Sequence, residues 1–181
     1  MVVGDRANRE TNMTGLSYGE RLLVWSWRKI VTGYGGCPLI AREFSLLCGE
    51  DGSEVLATLY TFLQALGYTG RRRLEVGYPG YTSLTADERK MLVLIAVAQS
   101  GDATRLEAHL QILAGAALRP ALAIAVRALG TALNEHDLRL SLPAANFNPD
   151  IAVGLQSRHH QPDGSPRGSK GNTVRLRLLN G

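Results

Sequence analysis

The sequence predicts an all-α fold: a compact bundle of about six helices, followed by a basic C-terminal tail with the composition of a disordered segment. Three observations predict it. Apolar residues recur at helical spacing in six successive segments between residues 17 and 136. Two of those segments open on a Ser/Thr-x-x-Glu capping box. Charge is segregated along the chain. Residues 1–157 carry 15 Lys/Arg and 15 Asp/Glu, whereas Arg158, Arg167, Lys170, Arg175 and Arg177 face only Asp163 beyond them. The net charge of +4 therefore belongs to the tail, and the body has no global attraction for nucleic acid or anionic lipid.

The boundaries that follow are a flexible N-terminus at 1–14, a helical domain at 15–142 and an extended, disordered basic tail at 143–181. Met13, just ahead of the first patterned segment, offers an alternative start. The N-terminus is polar and lacks the apolar centre of a secretory signal. The longest apolar run, Met91 to Ala98, falls far short of the roughly 20 residues that cross a bilayer. A cytoplasmic protein without membrane attachment is the expectation.

Each helix has a local reason. The first, SYGERLLVWSWRKIVTG, begins at Ser17 with Glu20 three positions on, and its stripe of Leu23, Trp27, Ile30 and Val31 stops at Gly33. Pro38 suits the first turn of the second, PLIAREFSLLC, which ends at Gly49. The third carries Val55, Leu56, Leu59, Phe62, Leu63 and Leu66 on one face and should end at Gly67. YTGRRRLEVGYPGYTS then breaks the pattern. Its glycines and proline suggest an ordered loop or tiny hairpin around Leu74–Val76. Thr85 and Glu88 form the second capping box, opening a fourth helix apolar nearly all round and so expected at the centre. Asp102 caps the fifth. Pro120 opens the sixth, with Leu122, Ala125, Val126, Leu129 and Leu133 in line. Beyond Asp137, RLSLP suits a short extended cover over the core. VRLRLL has strand-like alternation without an evident partner.

Candidate chemistry is sparse. GYGGCPLIAREF gathers three glycines and a cysteine ahead of a helix, but a phosphate loop needs a preceding strand and a set Lys or Ser/Thr. A helix precedes it here, so the glycines read as a link. Cys37 lies beside a helix start that favours thiolate, yet no histidine is placed near it by the sequence. Cys48 reads as core. Eleven residues apart on one helix, the two thiols would lie about 16 Å apart and could not bridge. His109 falls on the apolar side of its helix with Leu106, Leu110 and Leu113, where a histidine can be a ligand or a satisfied core residue. Cys37, Cys48, His109 and His136 lack zinc-site spacing. No catalytic residue, metal or cofactor is assigned.

The best binding candidate in the body is GRRRLEVGYPGY. Arg71, Arg72 and Arg73 stand beside Tyr78 and Tyr81, cations and rings that can grip an acidic partner. Trp25 and Trp27 point about 200° apart on a helix, so one belongs to the core and the other, taken as Trp25, to a contact surface. The functional expectation is a non-enzymatic helical interaction protein, an adaptor or regulatory subunit, that binds a protein partner through the Arg71–Tyr81 loop and Trp25. One alternative is a bundle that binds a small molecule or cofactor in a pocket near His109 and Cys37. Another is nucleic-acid association through the Arg158–Arg177 tail. An outward aromatic also admits a homo-oligomer, although no heptad seam is present.

Overall fold

A computed structural model describes residues 12–69 and 74–141, together with a short strand at Thr173–Arg175. The fold is an all-α bundle, and its helices start where the caps lie. Helix α1 spans Tyr18–Lys29. The Ser17 hydroxyl accepts the Glu20 N–H at 3.2 Å, and the Glu20 carboxylate accepts the Ser17 N–H at 2.7 Å. Glu20 is buried, and its Oε1 also accepts the Ser141 N–H at 2.8 Å. A wider π-type turn over Ile30–Tyr34 follows, with Gly33 at φ 90°. This left-handed conformation suits a residue without Cβ.

Helix α2 covers Pro38–Cys48 and buries Ile40, Phe44 and Cys48 at i, i+4 and i+8. A 3₁₀ turn at Gly49–Asp51 leads into α3, Gly52–Thr69, which runs two residues past the Gly67 stop predicted from sequence. Glycine is an optional terminator, and the chain here simply continues its turn. Strand β1 occupies Glu75–Gly77. Helices α4, Ala86–Ser100, and α5, Ala103–Leu113, are capped by Thr85 and Asp102. Helix α6 spans Arg119–Glu135 and buries the stripe Leu122, Ala125, Val126, Leu129 and Leu133.

Helix α6 packs along both α3 and α4, α2 lies against α3, and α5 lies against α4 and α6. One contiguous apolar cluster results. Leu59, Phe62, Met91, Leu92, Leu94, Ile95, Val126 and Leu129 are all fully enclosed. Gly130 allows the close approach of α6 to α4, since a Cβ there would stand 3.3 Å from the Gln99 nitrogen. Of the predicted cover, RLSLP, residues 139–141 are described and extend the chain from Leu138, while 142 and 143 lie outside the described residues. Gln99 donates to the Leu138 carbonyl and accepts the Leu140 N–H, both at 2.9 Å. Leu138 and Leu140 thereby rest on the cluster.

The sequence offers the VRLRLL stretch no partner, but the structure supplies one. Strand β2, Thr173–Arg175, pairs antiparallel with β1, with Val76 opposite Val174. The rest of the predicted tail and the N-terminal eleven residues lie outside the described part. Among the described residues, no helix is long and apolar enough to cross a membrane.

Gly52 is the most closely packed of the described glycines. A Cβ on it would lie 2.6 Å from the Ser45 nitrogen and 2.7 Å from the Phe44 carbonyl oxygen, both rigid backbone atoms. Gly52→Ala is expected to lower unfolding stability by about 2 kcal/mol through overpacking. Gly36→Ala, where a Cβ meets nothing within 4 Å, should stay within about 0.5 kcal/mol. Urea denaturation of the two variants measures the difference.

Candidate functional site

Residues 74–85, ahead of α4, have little regular structure, so their shape depends on side chains from elsewhere. The principal one is Arg28. It sits four residues after Val24 on the buried side of α1 and is 1% exposed. Its guanidinium forks onto Glu88, Nε to Oε1 at 2.7 Å and Nη2 to Oε2 at 2.9 Å. Nη2 also donates to the Ser83 carbonyl at 2.7 Å. Nη1 donates to the carbonyls of Tyr81 and, at 3.4 Å, of Tyr78. All five N–H donors of the side chain therefore have an acceptor.

Glu88 is equally committed. It is 0% exposed and occupies the third position of α4, where a carboxylate also benefits from the helix N-terminus. Its two oxygens take both Arg28 bonds, the Thr85 N–H at 2.8 Å and the Gly77 N–H at 3.0 Å. Glycine at 77 favours this arrangement, because a Cβ would stand 3.0 Å from the Arg28 Cζ and the guanidinium would have to shift by a few tenths of an ångström. Next to it, the Asp87 carboxylate accepts the Glu75 N–H at 2.9 Å, and the Thr85 hydroxyl donates to the Glu75 carbonyl at 2.7 Å. Strand β1 is thus pinned on its inner side by the first turn of α4.

Tyr78–Tyr81 then forms a tight turn, closed by the Tyr81 N–H on the Tyr78 carbonyl at 3.0 Å. Pro79 at the second position and Gly80 at φ 89° in the third are the residues a type II turn demands. The carbonyls point inward to Arg28, and each tyrosine side is left 42% exposed. The N-terminal lead braces the far end, with the Met13 N–H on the Thr82 carbonyl at 2.8 Å.

Of the residues singled out in the sequence, Tyr78 and Tyr81 thus share one braced turn. Arg71, Arg72 and Arg73 lie outside the described residues. Trp27 is enclosed in the core, while Trp25 is half-buried. Trp25 does not join the tyrosines. It lines a separate groove of about 250 Å³ with Tyr18, Arg21, Leu22, Leu39 and Glu43, between α1 and α2. His109 is buried on the inward face of α5 beside Leu106, Leu110 and Leu113. Burial holds its pKa below the ordinary value, and the neighbouring Arg105 adds to the effect. Cys37 stands at the N-cap of α2 without a side-chain bond to that helix. The helices of Cys37 and His109 make their main contacts with different neighbours, and neither residue lines the α1–α2 groove. Cys48 is buried, and desolvation, with the nearby Asp51, pushes its thiol pKa up. Among the described residues, no cluster of three His, Cys, Asp or Glu is placed to hold a metal ion.

Sequence reasoning missed Arg28, Glu88 in its second role, and the α1–α2 groove. A usable signal for Arg28 existed. It is the i+4 neighbour of Val24 and lies on the same side of α1 as residues that the helical stripe buries. Helix periodicity registers apolar residues only, so a buried arginine does not count towards the stripe.

Two expectations follow from these placements. Arg28→Met leaves Glu88 buried without its cation and should cost about 3–5 kcal/mol, while Arg28→Met/Glu88→Leu should cost clearly less than the sum of the single changes. For His109, the folded state binds a proton less readily than the unfolded chain. Its contribution to stability is thus intact above pH of about 6.5, the unfolded pKa, and is lost as pH falls below it. Chemical denaturation of the parent and of His109→Gln at several pH values should show the two curves running parallel above pH of about 6.5, with the parent losing stability relative to the variant as pH falls below it.

Comparison with known proteins yields no match to the chain: no family model, no curated protein and no solved structure.

Proposed function

We propose that this is a non-enzymatic helical interaction protein, an adaptor or regulatory subunit, whose contact surface is the turn bearing Tyr78 and Tyr81 together with Arg71, Arg72 and Arg73. The observation that carries this reading is the bracing of the turn. Two exposed tyrosines sit on a backbone whose inward carbonyls are held by a fully bonded, buried arginine. Tyrosine is among the residues that dominate binding energy at interfaces. A backbone fixed before association loses little further freedom when a partner arrives.

Two further observations support a binding role over a catalytic one. The buried carboxylates of Glu20, Asp87 and Glu88 each accept a backbone N–H, which gives them structural duties. The residues of the body balance in charge, which disfavours a general nucleic-acid search and leaves recognition to local features. A cytoplasmic location fits the two free thiols, Cys37 and Cys48.

The test is affinity capture with the intact chain and two surface variants, Arg71→Glu/Arg72→Glu and Tyr78→Ala/Tyr81→Ala. A protein retained by the parent and lost from both variants is the expected result. Tyr78→Ala/Tyr81→Ala should unfold at the parent's temperature, since Arg28 bonds the backbone carbonyls of these residues and not their rings. Identical retention by all three chains removes this loop as the contact surface.

A further inference from the structure

The groove between α1 and α2 has a composition that the Tyr78–Tyr81 surface does not share. Its floor is Leu22, and its walls are Tyr18 and Trp25 on α1 and Leu39 on α2. Tyr18 is 50% exposed and Leu39 49%, large apolar surfaces left open on two adjacent helices. Tyr34 and Leu46, on the same stretch of chain, are also exposed. Tyr18 and Trp25 are seven residues apart, so about 10 Å separates them along the α1 axis, two turns of a helix.

The α1 wall carries Arg21 in the lining, and Lys29 lies just beyond it beside Trp25. The Arg21 guanidinium lies 5.9 Å from the centre of the Tyr18 ring. The Lys29 ammonium lies 5.9 Å from the Trp25 ring and 5.3 Å from the Tyr34 ring. Arg21 donates one hydrogen bond, from Nη1 to the Leu16 carbonyl at 2.7 Å. Neither cation forms an ion pair with an acid among the described residues. The one carboxylate in the lining, Glu43, sits on the α2 wall and accepts the Tyr18 hydroxyl at 2.7 Å. The α1 rim thus presents rings alternating with cations that have no acidic partner among the described residues, next to an apolar cleft large enough for one bulky side chain.

We propose that this groove is a docking site for an acidic amphipathic segment of a protein partner, which seats an apolar side chain between Tyr18, Trp25 and Leu39 and sets carboxylates against Arg21 and Lys29. An apolar helix face laid in a hydrophobic groove is an established recognition mode, with anchors at i, i+3 or i+4 and i+7. The spacing of Tyr18 and Trp25 matches that i to i+7 reach. Complementary charge at the rim sets orientation and rejects basic competitors. Glu43 adds to the discrimination, because it disfavours acid on the α2 side and so fixes which flank of the segment faces α1. A single-stranded nucleic acid is the competing reading of rings alternating with cations. The apolar floor and the carboxylate in the lining argue against phosphate there.

The test uses the intact chain and a synthetic amphipathic peptide with Phe and Leu on one face and Glu on the flanks. Trp25 borders the groove and Trp27 is enclosed, so a change in tryptophan fluorescence reports on this site. The expected result is a saturable change with the Glu peptide and about tenfold weaker binding when Lys replaces each Glu. Arg21→Glu/Lys29→Glu should weaken the Glu peptide by a similar factor, and Leu39→Arg should abolish the response. Tyr78→Ala/Tyr81→Ala should leave it unchanged, which separates this site from the loop surface proposed above. Equal binding of the Glu and Lys peptides, no saturable response at millimolar peptide, or tighter binding of oligothymidylate than of the Glu peptide would overturn the proposal. The peptide comparison on the unaltered chain decides the matter even where a variant fails to fold.

Discussion

The Arg28–Glu88 pair is the constraint on which the non-helical part of the molecule depends. Six helices close a core by burying apolar stripes, which needs no specific polar contact. The stretch from Leu74 to Thr85 has no such stripe. It takes its shape from one guanidinium that supplies donors to three of its carbonyls and from one carboxylate that accepts two of its N–H groups. A buried ion pair of this kind adds little net stability over an apolar pair of the same volume. What it contributes here is definition, because each bond has a single geometric solution and all the donors are used. The Tyr78–Tyr81 turn inherits that definition, and so does any surface built on it.

The two capping boxes show a shared economy of design. In each, the glutamate at the third helical position is buried, and in each it does more than close its own helix. Glu20 also holds Ser141, at the end of the cover that follows α6. Glu88 also holds Gly77 and Arg28. A carboxylate has about four acceptor sites, and a capping box uses only one or two of them. The remainder serve distant chain. Helix starts thereby become the fixed points to which irregular segments are tied, and the bundle can present loops without loosening its core. The α1–α2 groove has a different origin. It is open because α2 packs against α3, leaving Leu39 exposed and Trp25 only half-covered on the adjoining wall.

Much of the fold was legible in the sequence, and for identifiable reasons. Ser17 with Glu20, Thr85 with Glu88, Asp102, and prolines at 38 and 120 mark helix starts by local chemistry that operates within four residues. The stripe from Leu122 to Leu133 marks its buried face in the same local way. Gly67 misled by two residues because a glycine permits a stop without forcing one. Long-range polar contacts were not legible. Arg28 and Glu88 are 60 residues apart, and nothing in the spacing of either indicates the other. The capping role of Glu88 was visible and concealed its second role. The pairing of β1 with Thr173–Arg175 was invisible for the same reason, since strand partners are chosen across the fold. In the candidate site, Tyr78 and Tyr81 were identifiable as rings that follow the run Arg71–Arg73. Trp25 was identifiable as an outward ring, but its neighbours Leu39 and Glu43 come from another helix.

The most direct measurement of the central claim is native-state amide hydrogen exchange at Gly77 and Thr85, the two N–H groups that donate to Glu88. Exchange protection reports the free energy needed to open each bond. If the pair fixes this segment, both amides open only with the core and exchange at the free energy shown by Leu94 in the middle of α4. Opening of both at a much lower free energy than Leu94 would show that the segment moves independently of the bundle, and would contradict the account.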